Sequence, residues 1–205
     1  MENYSAMTEK VIAKIKADGI KPRLLLHVCC APCSSYVLEY LSEYFDITLY
    51  FYNPNISPEK EYIYRLEELR RFVSETGSNA NIAEGEYEPS EFLEIAAGLE
   101  DEPEGGERCT KCYRLRLQKS AEYAAAGGFD YFTTTLSISP YKNAEKLNRI
   151  GGETAMAAGV EYLYSDFKKK NGYKRSIELS REYGLYRQDY CGCAFSAAAK
   201  QKTEN

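Results

Sequence analysis

The sequence predicts an α/β protein in which a parallel β-sheet is flanked by helices in a three-layer sandwich. The first observation is RLLLHV at residues 23–28, an apolar run typical of a strand buried on both faces of a sheet. The second is alternation: segments with strand composition are separated by segments with helical periodicity. Strands that alternate with helices connect in parallel through crossovers, which predicts this architecture.

Two further strands are predicted at residues 46–52 (DITLYFY) and 129–136 (FDYFTTTL), which are rich in aromatic and β-branched residues. Helices are predicted at residues 34–44, 57–77, 111–126 and 143–158. The second of these helices has Ser57 and Pro58 as start signals, and its apolar residues recur at helical spacing. These elements account for most of the chain between its ends.

Length and charge suggest one domain with an unusual insertion. The 205 residues predict a single domain, 1–205, and residues 84–107 form an acidic excursion with a short helix near 92–97. This excursion holds ten acidic residues and no basic one, so the rest of the chain is net positive although the whole carries -5. Two basic clusters, 108–119 and 168–175, are typical either of solvated helix faces or of nucleic-acid contacts.

The first residues and the lack of a long apolar stretch bear on the cellular location of the protein. The segment MENYSAMTEK lacks the basic and apolar regions of a secretory signal, and no stretch is apolar enough to span a bilayer. We therefore expect a cytoplasmic protein without membrane contact, whose cysteines are reduced thiols or metal ligands rather than disulfides.

All seven cysteines fall into three clusters: Cys29, Cys30 and Cys33; Cys109 and Cys112; Cys191 and Cys193. The first cluster follows a central strand, at the sheet edge where open α/β folds place their sites. The second is a C-x-x-C preceding a helix, with Arg108 and Lys111 adding positive charge. Both settings favour anionic sulfur, and neither resembles the scattered cysteines of a hydrophobic core.

The number of thiols favours a redox centre. A structural zinc site needs four ligands and usually two C-x-x-C knuckles, whereas this chain offers seven thiols and one such knuckle. Four thiolates suit a 4Fe-4S cluster. The other three could hold a second metal, iron or zinc, or Cys191 and Cys193 could cycle as a dithiol.

Other candidate residues follow from position in the chain. His27 lies inside the first strand, where it is either a core residue or a contact behind the metal ligands. Tyr141 and Asp166 are candidate proton donors, and Tyr113, Tyr141, Tyr173 and Tyr190 are candidates for base stacking. The turn after the first strand carries cysteines and no phosphate-binding glycine motif.

Six blocks of the sequence together resemble the QueH-type epoxyqueuosine reductases. They are HVCCAPCSS at 27–35, YNPNISPEKEYIYR at 52–65, CTKCYRLRL at 109–117, TTTLSISPYKN at 133–143, SDFKKKNGYKRS at 165–176 and LYRQDYCGCAFS at 185–196. The blocks span most of the chain in order, which makes the resemblance specific.

The resemblance implies a nucleotide α-hydrolase-like fold, a 4Fe-4S cluster beside a second metal or thiol pair, and a tRNA substrate with epoxyqueuosine at the wobble position. It implies Cys29, Cys30, Cys109 and Cys112 as cluster ligands, with Cys191 and Cys193 as a redox pair or second-metal ligands. Some family members carry Asp at the position of Cys33, which makes Cys33 a further candidate ligand.

The implied reaction converts an epoxide to an alkene and requires two electrons, two protons and the loss of water. An external donor of the ferredoxin or flavodoxin type would supply the electrons. Two other functions stay open from the residues alone. One is a zinc-stabilised RNA-binding module without catalysis, and the other is a thiol oxidoreductase that uses only Cys191 and Cys193.

Overall fold

A computed structural model describes residues 2–204, and their side chains through residue 200. The helices are α1 (Tyr4–Asp18), α2 (Ala31–Leu41), α3 (Glu59–Glu75), α4 (Pro89–Ala96), α5 (Glu107–Ala126), α6 (Ala144–Ala158), α7 (Gly172–Glu182) and α8 (Ala194–Glu204). The strands are β1 (Arg23–His27), β2 (Asp46–Phe51), β3 (Asn81–Glu84), β4 (Tyr131–Thr134) and β5 (Glu161–Tyr162). None of the helices within these residues is long and apolar enough to cross a membrane.

The five strands form one parallel sheet in the order β3-β2-β1-β4-β5. Leu24, Leu26 and Val28 join a core with residues of α1, α2 and α3, whereas Leu25 joins a core with residues of α5 and α6. Alternate side chains of β1 therefore face opposite helical layers, as a fully buried strand requires. The predicted three-layer α/β sandwich is confirmed.

The carboxyl ends of β1, β2 and β4 lie together at the centre of the sheet because these strands are neighbours. The segments that leave them begin at Val28, Tyr52 and Thr135 respectively. Each belongs to one of the sequence blocks described above. This edge of the sheet is therefore where the candidate residues gather.

Several element boundaries differ from the sequence prediction, and two of the differences lie near the candidate residues. The strand predicted at 129–136 ends at Thr134, whose Oγ1 accepts the backbone N–H of Leu136 at 3.2 Å and starts a 3-10 turn at Thr135–Ile138. The helix predicted from residue 111 begins at Glu107, where the Glu102 carboxylate accepts the Glu107 N–H at 2.9 Å. Cys109 and Cys112 thus lie within the first turns of α5 and not before it.

Candidate metal centre

Three thiols converge where β1 leads into α2. The Sγ atoms of Cys29, Cys30 and Cys33, which we call the three-thiol group, all lie within 4.8 Å of one another. The Cys29 and Cys30 sulfurs are 3.7 Å apart. Two thiolates bound tetrahedrally to one ion at ~2.3 Å would be separated by about 3.8 Å, so this spacing fits a shared metal ion.

The three-thiol group concentrates negative charge on Cys29. Hydrogen bonds from the thiols of Cys30 and Cys33 hold the pKa of Cys29 well below its usual value. The same hydrogen bonds raise the pKa of Cys33 well above its usual value and that of Cys30 to about 12. A metal ion bound here would displace the protons that Cys30 and Cys33 otherwise keep.

The other cysteines, Cys109, Cys112, Cys191 and Cys193, form a second set, which we call the four-thiol group. Cys109 and Cys112 are three residues apart on α5 and therefore share a helix face. Cys112 and Cys193 are both buried and pack in one core with Phe92 and Ala96 of α4. Charge on Cys191 and Cys109 acts on Cys112, which places α5 and the C-terminal segment at one site.

The four-thiol group also holds one thiol that ionises easily. A hydrogen bond from Cys193 lowers the pKa of Cys191 to about 5, and the same bond raises the pKa of Cys193. Burial raises the pKa of Cys112 to about 11. The Ser196 N–H points to the Cys193 sulfur at 3.4 Å at the start of α8.

The two groups of thiols adjoin. Cys29 packs against the same hydrophobic core that contains Cys109. Cys33 accompanies Cys29 and Cys30, and Cys191 accompanies Cys112 and Cys193. The ligand set that the sequence predicted, Cys29 and Cys30 with Cys109 and Cys112, takes two thiols from each group and stays a prediction.

Arg116 lies between the two groups and is only 1 % exposed. Its Nη2 donates to Asn53 Oδ1 at 2.6 Å and its Nε donates to His27 Nε2 at 3.3 Å. Burial opposes its charge, but Cys112, Cys29 and Cys191 together raise the pKa of Arg116. This guanidinium therefore stays charged and balances thiolates of both groups.

His27 supports Arg116 from the central strand. Burial, and then the charge of Arg116, lowers the pKa of His27 to about 3, so the imidazole is neutral. Its Nδ1 lies 2.8 Å from Thr134 Oγ1 at the end of β4. His27 is buried, as one interpretation of the sequence expected, whereas its contact behind the metal ligands stays a prediction.

A cavity of about 520 Å³ opens onto the thiols. This volume suits a nucleoside-sized ligand. Its wall contains Cys29, Cys30, Cys33 and Cys191, together with Arg65, Glu104, Arg116, Tyr141, Lys142, Tyr173, Arg187 and Tyr190. Cationic and aromatic side chains therefore surround thiols within one cavity.

The two candidate proton donors have different positions. Tyr141 lines the cavity with its side chain 81 % exposed. Asp166 instead pairs with Lys168 Nζ at 2.8 Å and is not among the lining residues of the cavity. Lys168 also donates to the Ser137 carbonyl at 3.3 Å, so part of the second basic cluster has partners within the protein.

Three buried cations lie beside the thiols: Arg65 and Lys142, which the sequence did not indicate, and Arg116, which it had assigned to the basic cluster at 108–119. Lys142 Nζ lies 3.2 Å from Glu104 and 5.9 Å from the ring centre of Tyr113. Although burial opposes its charge, Cys191, Tyr113 and Glu104 raise the pKa of Lys142. All three cations lie in sequence blocks that resemble the family. Their place in those blocks is the sequence feature that could have indicated a role at the site.

Comparison with known proteins identifies the family of the chain. The family described as "Epoxyqueuosine reductase QueH" matches residues 24–199. Proteins named epoxyqueuosine reductase QueH from Staphylococcus epidermidis and Streptococcus pyogenes are each 46 % identical, over 95 % of this chain and 84 % and 78 % of their own. One from Thermotoga maritima is 35 % identical over 87 % of this chain and 92 % of its own. The chain belongs to the QueH family of epoxyqueuosine reductases.

Proposed function

We propose that this protein reduces epoxyqueuosine to queuosine at the wobble position of tRNA. The carrying observation is the cavity of about 520 Å³, which has thiols of both groups in its wall and buried cations beside them. We infer the substrate from the relatives, which are named epoxyqueuosine reductases. The reaction consumes two electrons and two protons, replaces both C–O bonds of the epoxide by a C=C bond, and releases water.

The donor set fits an iron–sulfur cluster with a second metal. Seven cysteines are free, four of them lie in the wall of one cavity, and the spacing within the three-thiol group suits one ion. The contacts favour the four-thiol group as holder of a 4Fe-4S cluster and the three-thiol group as holder of a second metal, iron or zinc. The alternative gives the cluster to Cys29, Cys30, Cys109 and Cys112. The bound metals would supply electrons received from an external ferredoxin or flavodoxin.

The side chains of the protein itself supply positive charge near the thiols and a cavity that a nucleoside could enter. Arg116 and Lys142 stabilise thiolates near the place where the substrate would enter. Tyr173 and Tyr190 offer aromatic surface in the same wall, and Arg187 offers a phosphate-binding charge. A nucleoside unstacked from the anticodon loop could thus enter the cavity while the rest of the RNA stays outside.

The proposal is tested by incubating anaerobically purified protein with tRNA that contains epoxyqueuosine and a chemical electron donor. Nucleoside mass spectrometry should show queuosine formed at the expense of epoxyqueuosine, with iron and sulfide present in the protein. A colourless protein that holds only zinc and binds tRNA without turnover would indicate the RNA-binding module. Undiminished turnover after Cys109→Ser would indicate the thiol oxidoreductase.

Tyr141 is the better placed of the two proton donors that the sequence suggested. Tyr141→Phe is expected to lower kcat by about a hundredfold, the usual lower range for loss of a general acid, with little change in KM. Asp166→Asn is expected to change kcat by less than about threefold, because an amide can still contact Lys168. Single-turnover kinetics measure both variants.

The control is Tyr64→Phe, because Tyr64 is a half-exposed tyrosine on α3 that is not part of the cavity wall. It should behave as the unmodified protein. Full activity of Tyr141→Phe together with a large loss in Asp166→Asn would transfer the role to Asp166.

A further inference from the structure

Arg65 is a buried cation that bridges separate parts of the site. It lies on α3, is 2 % exposed, and forms part of the cavity wall. Its Nε donates to Glu61 Oε1 at 2.7 Å, one helical turn away. Its Nη1 donates to the Cys191 carbonyl at 3.3 Å, and its guanidinium lies 5.5 Å from the ring centre of Tyr190. A side chain of α3 thus holds the backbone of the C-terminal segment.

The turn between Cys191 and Cys193 is shaped to receive this guanidinium. Gly192 has φ +103, a conformation that side chains rarely adopt. A Cβ placed on Gly192 would lie 2.8 Å from Arg65 Nη1 and 2.9 Å from Nη2, which is too close. The Gly192 carbonyl accepts the Ser57 N–H at 2.9 Å. The glycine between the two cysteines therefore serves close packing as well as backbone shape.

Among the side chains that the structure describes, one nitrogen of Arg65 has no hydrogen-bond partner. Nη2 is buried and makes no hydrogen bond. Turning the Gln188 amide so that its oxygen faces Arg65 provides an acceptor for Nη1 at 2.9 Å and for Nε at 3.3 Å, but none for Nη2. Such a donor is costly unless an anionic group faces it. Cys29, the thiol of the three-thiol group whose pKa is lowered, lies in the same cavity wall as Arg65.

We propose that Arg65 is a positioning residue that clamps the Cys191–Gly192–Cys193 turn to α3 in the wall of the cavity. One guanidinium then fixes the position of Cys191 in the cavity wall that also contains Cys29, Cys30 and Cys33. This role rests on the proposed function, since it concerns how the metal-binding thiols are held together.

The test uses metal-free protein, so that its result does not depend on turnover. Arg65→Lys keeps the charge but cannot contact Glu61 and the Cys191 carbonyl at the same time. Gly192→Ala places a methyl group against the Arg65 guanidinium. Either variant should raise the alkylation rate of Cys191 by iodoacetamide at least about tenfold, the equivalent of one hydrogen bond to a charged group. The alkylation rate of Cys109 should stay within about twofold, and peptide mass spectrometry reports both.

Arg71→Lys is the matched control. Arg71 lies on the same helix, is 41 % exposed, and donates to the Tyr183 carbonyl at 3.1 Å, so it also joins α3 to the C-terminal segment. It should leave both alkylation rates unchanged. In anaerobically loaded protein, Arg65→Lys and Gly192→Ala should also lose iron, which Arg71→Lys should not.

Equal Cys191 alkylation in Arg65→Lys, Gly192→Ala and the control would overturn the clamp. If Arg65→Lys fails to fold, as judged by circular dichroism, Gly192→Ala decides alone, because it leaves Arg65 in place. Because iodoacetamide reports the exposure and ionisation of Cys191 and not turnover, the clamp can fail while the reductase assay succeeds, and the reverse is equally observable.

Discussion

Serine replacement of Cys191 and Cys193 together is expected to abolish queuosine formation while the protein stays folded. Both thiols belong to the four-thiol group, and Cys191 lies in the cavity wall beside Lys142 and Arg116. Serine preserves the size of the side chain but is a poor ligand for iron and cannot form a disulfide. Nucleoside mass spectrometry measures the loss of product, and circular dichroism measures folding.

Iron and sulfide counts of the same variant decide how the thiols divide. If the four-thiol group holds the cluster, about four irons and all inorganic sulfide should be lost, with about one metal ion retained. If Cys29, Cys30, Cys109 and Cys112 hold it, sulfide should remain near the level of the unmodified protein. Full turnover with Cys191 and Cys193 both replaced would remove these residues from the reaction.

The matched variant replaces Cys29 and Cys33 by serine. Both belong to the three-thiol group, whose sulfurs lie within 4.8 Å of one another. Under the division that the contacts favour, this variant keeps its sulfide and loses only the second metal. Loss of sulfide in this variant, with retention in the Cys191 and Cys193 variant, would instead support the ligand set predicted from the sequence.

The sequence predicted the middle of the sheet better than its edges. Residues 23–28 are apolar throughout, so β1 was recognised, and β2 is similarly rich in aromatic and β-branched residues. β3 (NIAE) and β5 (EY) carry no comparable pattern, because an edge strand is held by its neighbour more than by its own composition. α1 and the C-terminal helices α7 and α8 were not predicted.

The sequence identified the thiols but could not show what surrounds them. Cysteine clusters are visible as spacings, whereas Arg65 and Lys142 look like ordinary surface residues because charged side chains are rarely buried. Their burial follows from long-range contacts, such as Arg65 with the Cys191 carbonyl and Lys142 with Glu104. Such contacts depend on how β1, α3, α5 and the C-terminal segment meet, which local sequence does not encode.

Replacement of Arg116 by Met is expected to lower the free energy of unfolding of the metal-free protein by about 2–4 kcal/mol. The variant leaves Asn53 Oδ1 without the donor that lay at 2.6 Å, and it removes the 3.3 Å contact with His27 Nε2. Each buried acceptor that loses its partner costs about 1–3 kcal/mol, while Met retains most of the apolar packing. Urea unfolding under anaerobic, reducing conditions measures the change.

Arg114→Met provides the comparison on the same helix. Arg114 pairs with Glu153 at 2.5 Å but is 44 % exposed, and an exposed ion pair contributes less than about 1 kcal/mol. In loaded protein, Arg116→Met should also lower metal content, because Cys29, Cys112 and Cys191 lose the cation that they share. Equal stability of the two variants would mean that the buried guanidinium is replaceable, and that the thiol groups do not depend on it for charge balance.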